Sequence, residues 1–286
     1  MSTERTERAP LPTLDVLAHR AQQGDRDALE QLVRGLQDPL YRLALRVLGR
    51  TEPARDATQE ILVLIVTQLS TFRGESAVRT WAYRIATRYL VRQRKRARRW
   101  TFEELAEGHL GQPPNAIAPD TLALADRRIL EEEIFLGCTH AMLQSLDKPH
   151  RMAFVLGAIC ELESPEAASI LGITEAAFRK RLSRARATLD GFMTKHCGVS
   201  NPKASCRCAF QVNHNVTEGR LDPARLQYEG YTVSRGKTSL EVIQALGEIE
   251  SIRDSVALFR AQPAFTSPED FAAHLRTLLT PASSLA

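Results

Sequence analysis

The chain has 286 residues, 43% of them hydrophobic and 25% charged, with a modest net charge of +4, so two or three small domains are expected and any binding signal lies in where the charge sits. No apolar run is long enough to span a bilayer, and the polar opening MSTERTERAPLP lacks the apolar centre of a signal peptide, which predicts a cytoplasmic protein with no membrane partner. Five cysteines in so long a chain, two of them (Cys138 and Cys160) inside apolar helical stretches, argue against a disulfide framework.

In chain order, residues 1–12 read as a flexible tail. Leu14, Leu17, Ala21, Ala28, Leu29, Leu32 and Val33 recur at helical spacing, interrupted by Gly24-Asp25. A further helix is expected to begin at Pro39 and run to Leu48. Another spans Asp56 to Leu69, with Ile61, Leu62, Ile65 and Leu69 on one face. The loop Phe72-Arg73-Gly74-Glu75-Ser76 follows, and then a helix bearing Trp81 and Tyr83. From Arg84 to Arg99 there are eight Arg and Lys residues and no acidic one. Unopposed positive charge interleaved with aromatics suits a surface that holds phosphates while touching unstacked bases. A plain solvated helix face is the simpler alternative.

Residues 108–120, rich in Gly and Pro, predict a linker. A second helical block runs from about Leu122 to Lys195. Within it, Met152, Phe154, Val155 and Leu156 supply a first apolar helix. Ser164-Pro165-Glu166 starts a second, Gly172 ends it, and Thr174 caps a third in which Phe178, Leu182, Ala185 and Leu189 share a face. A short helix, a Gly turn and a helix with a basic outer side (Arg179, Lys180, Ser183, Arg184) match a helix-turn-helix entering the major groove. An ordinary helical hairpin with a basic side is the alternative. No period-2 stretch precedes residue 209, so the fold class is all-α: two small helical domains joined by a linker, at 13–106 and 126–195 with the linker at 107–125, and a mainly helical C-terminal extension at 196–286.

The two blocks resemble the extracytoplasmic-function (ECF) group of bacterial RNA polymerase sigma factors. The match rests on Asp56-Ala57-Thr58-Gln59-Glu60, Phe72-Arg73-Gly74-Glu75-Ser76, Arg79-Thr80-Trp81, Tyr83-Arg84-Ile85-Ala86, the stretch from Ala167 to Thr174, and Arg181-Leu182-Ser183-Arg184-Ala185-Arg186, and covers residues 14–195. The resemblance implies a non-enzymatic promoter-specificity subunit that needs no cofactor, whose partners are the polymerase core (clamp helices and flap) and promoter DNA. It implies polymerase contact at Asp56, Gln59 and Glu60. It assigns the −10 element to Phe72, Arg73, Gly74, Glu75, Ser76, Trp81, Arg84, Arg88, Arg92, Arg94, Lys95 and Arg96. It assigns the −35 element to Thr174, Glu175, Ala176, Phe178, Arg179, Lys180, Ser183 and Arg184. Two departures are Arg88, where the family often has asparagine, and Phe178-Arg179-Lys180 in place of a Val-Lys-Ser type. A stand-alone helix-turn-helix regulator is the competing reading, and it leaves residues 56–99 without a role.

Minimal members of the group lack residues 196–286. Cys197, Cys206, Cys208 and His214 form a donor cluster spaced nine, two and six residues apart, which suits zinc in ligand type but matches no standard finger or ribbon. Metal binding, redox sensing and structural packing all remain open. Apolar residues recur from Leu240 to Phe259, and a last helix is expected with Phe271, Leu275, Leu278 and Leu279. Control by this extension acting within the molecule, or by a separate anti-sigma factor, are the two regulatory expectations.

Overall fold

A computed structural model of the protein describes residues 12–93, 101–108, 124–228 and 255–279. Among them the structure is helical, its extended pairing limited to one isolated bridge between Cys197 and Cys206. The predicted tail, most of the linker, and the apolar positions 240, 243, 246, 249 and 252 lie outside the described residues.

Helix α1 (Leu14–Gln22) starts at Thr13, whose hydroxyl caps the backbone N–H of Val16. Asp25 likewise caps α2 (Arg26–Leu48) through Ala28 N. The expected break at Pro39 does not occur, for α2 runs through it. The residues around that proline, Leu36, Leu40, Tyr41 and Leu43, are fully buried, and this burial offsets the lost backbone hydrogen bond. Helix α3 (Thr51–Gln68) begins five residues earlier than expected and packs along α2, ending in a 3-10 turn over Leu69–Thr71. Helix α4 (Val78–Arg92) has its first N–H, that of Val78, capped from a distance by Asp15 Oδ1 at 2.7 Å. Short α5 (Phe102–Gly108) follows.

The second unit comprises α6 (Leu124–Ser145), α7 (Lys148–Phe154), a π turn over Val155–Ile159, α8 (Ser164–Leu171) and α9 (Glu175–His196). Gly172 ends α8 at φ 65°, a left-handed turn that disfavours any residue with a Cβ. The extension adds α10 (Cys208–Thr217), α11 (Ser255–Arg260) and α12 (Phe271–Leu279).

The two predicted domains share one continuous core. Their junction is built on helix C-termini, whose last carbonyls have no partner within the helix. The Val47 carbonyl near the end of α2 accepts from Arg151 Nη1 (2.8 Å) and Gln144 Nε2 (2.9 Å). Lys148 Nζ binds the carbonyls of Val91 (2.9 Å) and Gln93 (2.7 Å) at the end of α4. A cation there also meets the negative end of the helix dipole.

The extension is stitched into both units. Gln227 and Tyr228 donate backbone N–H groups to the Glu133 carboxylate of α6, at 2.7 and 2.9 Å. Phe259 packs edge-on against Phe154, and Arg260 Nε binds the Ala158 carbonyl of the π turn at 2.7 Å. On the first unit, Asp38 and Gln37 of α2 accept from the backbone of Ser267 (3.0 Å) and Phe271 (2.8 Å), which caps α12.

Candidate nucleic-acid interface

The Phe72–Ser76 loop is held at its base and open at its tip. Gln22 Nε2 donates to the carbonyls of Leu69 (2.9 Å) and Phe72 (2.7 Å), so α1 anchors the turn. Phe72 is half-buried against Trp81, with ring centroids 5.4 Å apart, while Arg73, Gly74 and Glu75 are exposed. Gly74 sits at φ 72° and makes the reversal. Arg88 and Arg92 project from α4 into solvent; Arg94, Lys95 and Arg96 lie outside the described residues.

Other parts of α4 are engaged. Thr80 donates its hydroxyl to Glu166 Oε1 (2.6 Å) and Arg84 Nη2 donates to Ser169 Oγ (2.6 Å), so α4 leans on α8. Neither link is visible in sequence, because Thr80 and Glu166 belong to blocks 86 residues apart.

On α3, Asp56 and Glu60 are exposed one turn apart and Gln59 is half-buried. Burial raises the Tyr89 hydroxyl above its ordinary pKa, and the charges of Glu60 and Asp56 add to the shift, so the acidic face lies beside α4. Arg55 stands between Asp56 (3.6 Å) and Glu269 of the extension (3.4 Å).

The Thr174 hydroxyl caps Ala177 N at the start of α9. Thr174, Glu175, Ala176, Arg179, Lys180, Ser183 and Arg184 are all exposed, in a helix that buries Phe178, Ala185, Leu189 and Met193. Phe178 therefore departs from its predicted role. It is 0% exposed, and its ring lies so close to Gly157 that a Cβ there would meet it at 2.8 Å. A side chain that anchors α9 to the core cannot reach a base edge while the helix stays in place.

The predicted ligand set Cys197, Cys206, Cys208 and His214 is not assembled. Among the described residues no group of three or more His, Cys, Asp or Glu side chains stands in a metal-binding arrangement. His214 follows Cys208 by six positions, about 120° round the helix, and its Nε2 lies 3.4 Å from Arg220 Nη1. Burial pushes the Cys206 thiol up to about 12 and those of Cys197, Cys208 and Cys138 upward as well.

A family model described as Sigma-70 region 2 matches residues 32–100, and one described as Sigma-70, region 4 matches residues 136–189. The chain is 30% identical over 185 residues to the ECF RNA polymerase sigma-E factor of Escherichia coli (strain K12), an alignment covering 93% of that protein and 62% of this one. It is 28% identical over 170 residues to RNA polymerase sigma factor YlaC of Bacillus subtilis, covering 94% of that protein and 59% of this one. A solved structure of CnrH in complex with the cytosolic domain of CnrY aligns with 63% of this chain and 97% of that one, at 25% identity and a TM-score of 0.47. Residues 190–286 lie beyond both family models.

Proposed function

Because the chain belongs to the ECF group of RNA polymerase sigma factors, we propose that its two helical units divide promoter recognition as their exposed surfaces are divided. A sigma factor binds core polymerase and promoter DNA and directs initiation; it is not itself an enzyme. In this reading the exposed acidic face of α3, with Asp56, Gln59 and Glu60, docks on basic residues of the polymerase clamp helices, and the second unit lies toward the flap. The Phe72–Ser76 loop, Trp81, Arg84, Arg88 and Arg92 receive the melted −10 strand: the aromatic pair offers a stacking face and the arginines neutralise phosphate. The outer side of α9, from Thr174 to Arg184, reads the −35 duplex. No cofactor enters this scheme, and its place is the cytoplasm, where polymerase and promoter meet.

One observation carries the assignment. The acidic face and the basic helix, far apart in sequence, are each exposed on a helix whose opposite side is core. The test is reconstitution with core polymerase and linear promoter DNA. Initiated transcripts that depend on the protein are expected. DNA binding that alters transcription only when a complete holoenzyme is already present would instead make it a stand-alone helix-turn-helix regulator.

The same reading gives the extension an inhibitory role within the molecule. The links of Thr80 to Glu166 and Arg84 to Ser169 hold α4 against α8, where a melted strand would have to lie. Residues 255–279 brace that closed form from both units: Ser255 N binds Asp190 Oδ1 at 2.8 Å, and Arg276 pairs with Glu30. Promoter engagement then requires opening, so the extension acts as an internal brake.

A further inference from the structure

A cavity of about 490 Å³ lies where the two helical units and the extension meet. The first unit supplies Val47 and Leu90 to its wall, α6 supplies Phe135 and Met142, and the extension supplies Val199 and Leu221. Its volume falls within the roughly 300–1,000 Å³ of small-molecule sites, which pair apolar walls with a few polar groups. None of the described residues assigned to polymerase or promoter DNA lines it.

The charged groups on this wall are either engaged by protein or exposed. The Glu133 carboxylate accepts from the backbone N–H groups of Gln227 (2.7 Å) and Tyr228 (2.9 Å). Lys148 is taken up by the carbonyls of Val91 and Gln93, and Arg151 by those of Val47, Gln144 and Leu146. Arg50 and Arg220 are exposed. Burial raises the thiols of Cys138 and Cys208 well above their ordinary range, so they stay protonated and add no charge. A charged ligand would have to give up its hydration to walls whose ions are already paired, which is costly. Sulfur from Met142, Met193, Cys138 and Cys208 lines the cavity, and thioether sulfur packs well against aromatic ring edges. One polar atom is left over. Gln211 of α10 lines the cavity and is 4% exposed; its side chain bonds the Cys206 sulfur, while its Oε1 has no donor among the described residues. A buried acceptor without a donor is costly, and a ligand N–H or O–H removes that cost once the amide turns toward it.

We propose that this cavity binds a neutral aromatic molecule carrying one N–H or O–H donor, which pairs with Gln211, and that the bound molecule holds the extension against both helical units. The aromatic body meets the apolar and sulfur-bearing walls, and the donor meets Oε1. Because the walls come from three parts of the chain, the ligand binds only their assembled arrangement and stabilises it by mass action. Under the braking role given to the extension above, such a ligand keeps the brake applied; the site itself does not depend on that role.

The test uses the full chain under reducing conditions and, as probe, N-phenylnaphthylamine, a neutral aromatic amine whose fluorescence rises in apolar surroundings. Saturable binding of one probe per chain, with a Tm that climbs with probe concentration, is expected. Gly137 of α6 also lines the cavity, and a Cβ there meets nothing within 4 Å, so a larger side chain has room to enter. Gly137→Phe should keep the fold, judged by circular dichroism, and abolish probe binding. Competition on the wild-type protein stands whether or not that variant folds. Naphthol should displace the probe roughly tenfold better than naphthoate, which must bury a charge, and several-fold better than naphthalene, which has no donor. Gln211→Leu should erase the difference between naphthol and naphthalene. Absence of saturable binding to wild-type protein overturns the site, as does full binding in folded Gly137→Phe. Naphthoate as strong as naphthol overturns the neutral ligand class, and naphthalene as strong as naphthol overturns the pairing with Gln211. Because the measurement contains no polymerase or DNA, it fails or succeeds independently of the promoter assignments.

Discussion

At the scale of single residues, the polar groups that most constrain this molecule are buried where the two units meet. His140 of α6 stacks on Tyr228 at 5.2 Å, and its Nδ1 lies 2.8 Å from the Leu136 carbonyl. Burial, with the nearby Arg46 charge adding to it, lowers its pKa from 6.5 to about 3, so the folded protein keeps this imidazole neutral. Between those two values the unfolded chain takes up a proton that the native state refuses. Stability therefore falls as pH drops from 6.5 toward about 3, at up to about 1.4 kcal/mol per pH unit from this group. Urea midpoints measured between pH 7 and pH 4 should fall less steeply for His140→Phe than for wild type; coincident slopes would show that His140 is not the group involved. Arg151 is a second such residue. It donates to the carbonyls of Val47, Gln144 and Leu146, and Arg151→Met leaves these buried acceptors short of a charged donor. The expected loss is about 3 kcal/mol of unfolding free energy in denaturant titrations. A loss of only a few tenths would mean that the carbonyls find other donors.

At the scale of elements, α3 and α9 each set a buried face against an exposed charged one, to which the proposed reading gives recognition. Arg179 and Lys180 are exposed on α9, and Arg179 forms a surface ion pair with Glu175, one turn earlier. Such pairs add little to stability, so Arg179→Ala and Lys180→Ala should leave the fold intact. Each should weaken binding to a duplex −35 element, by about 1–3 kcal/mol where a base edge is read and by less where only phosphate is touched. Phe178→Ala should do the reverse, costing about 3–5 kcal/mol of stability by opening a core cavity. Competition binding and thermal melts on the same three variants separate these effects, and a −35 defect confined to Phe178→Ala would reverse the assignment of the two faces. On α3, Glu60→Lys reverses one charge of an exposed acidic face. Its effect should appear as a slower association with core polymerase and a weaker salt dependence of that rate. Equal association rates across a salt series would remove α3 from the contact.

At the scale of the whole molecule, the helical units and the extension behave as one packed body. Arg46, buried in α2, lies 5.0 Å from the Phe265 ring and 3.5 Å from the Phe259 carbonyl, so the extension completes a site inside the first unit. Its outer contacts, Glu269 with Arg55 and Arg276 with Glu30, lie at the surface and can be broken without opening the core. The double variant Glu269→Lys/Arg276→Glu should loosen α12 and raise both core-polymerase affinity and the yield of initiated transcripts at limiting protein. An unchanged or lower yield from a folded variant would contradict a braking role.

The order and type of the helices, the helix-turn-helix and the two charged surfaces were legible in the sequence because each depends on local properties. Periodicity, caps at Thr13, Asp25 and Thr174, and the turn at Gly172 act within a few residues, and the family motifs lie on those same segments. Pro39 was misleading because local propensity yielded to the burial of its neighbours, which only packing decides. Phe178 was ambiguous for a related reason: it adjoins exposed basic residues in sequence, but the 100° step of a helix turns it into the core. The link of Arg84 to Ser169 and the capping of Val47 by Arg151 have no local signature. They are products of tertiary structure, because which distant groups meet depends on how the helices pack and not on the pattern within any one of them.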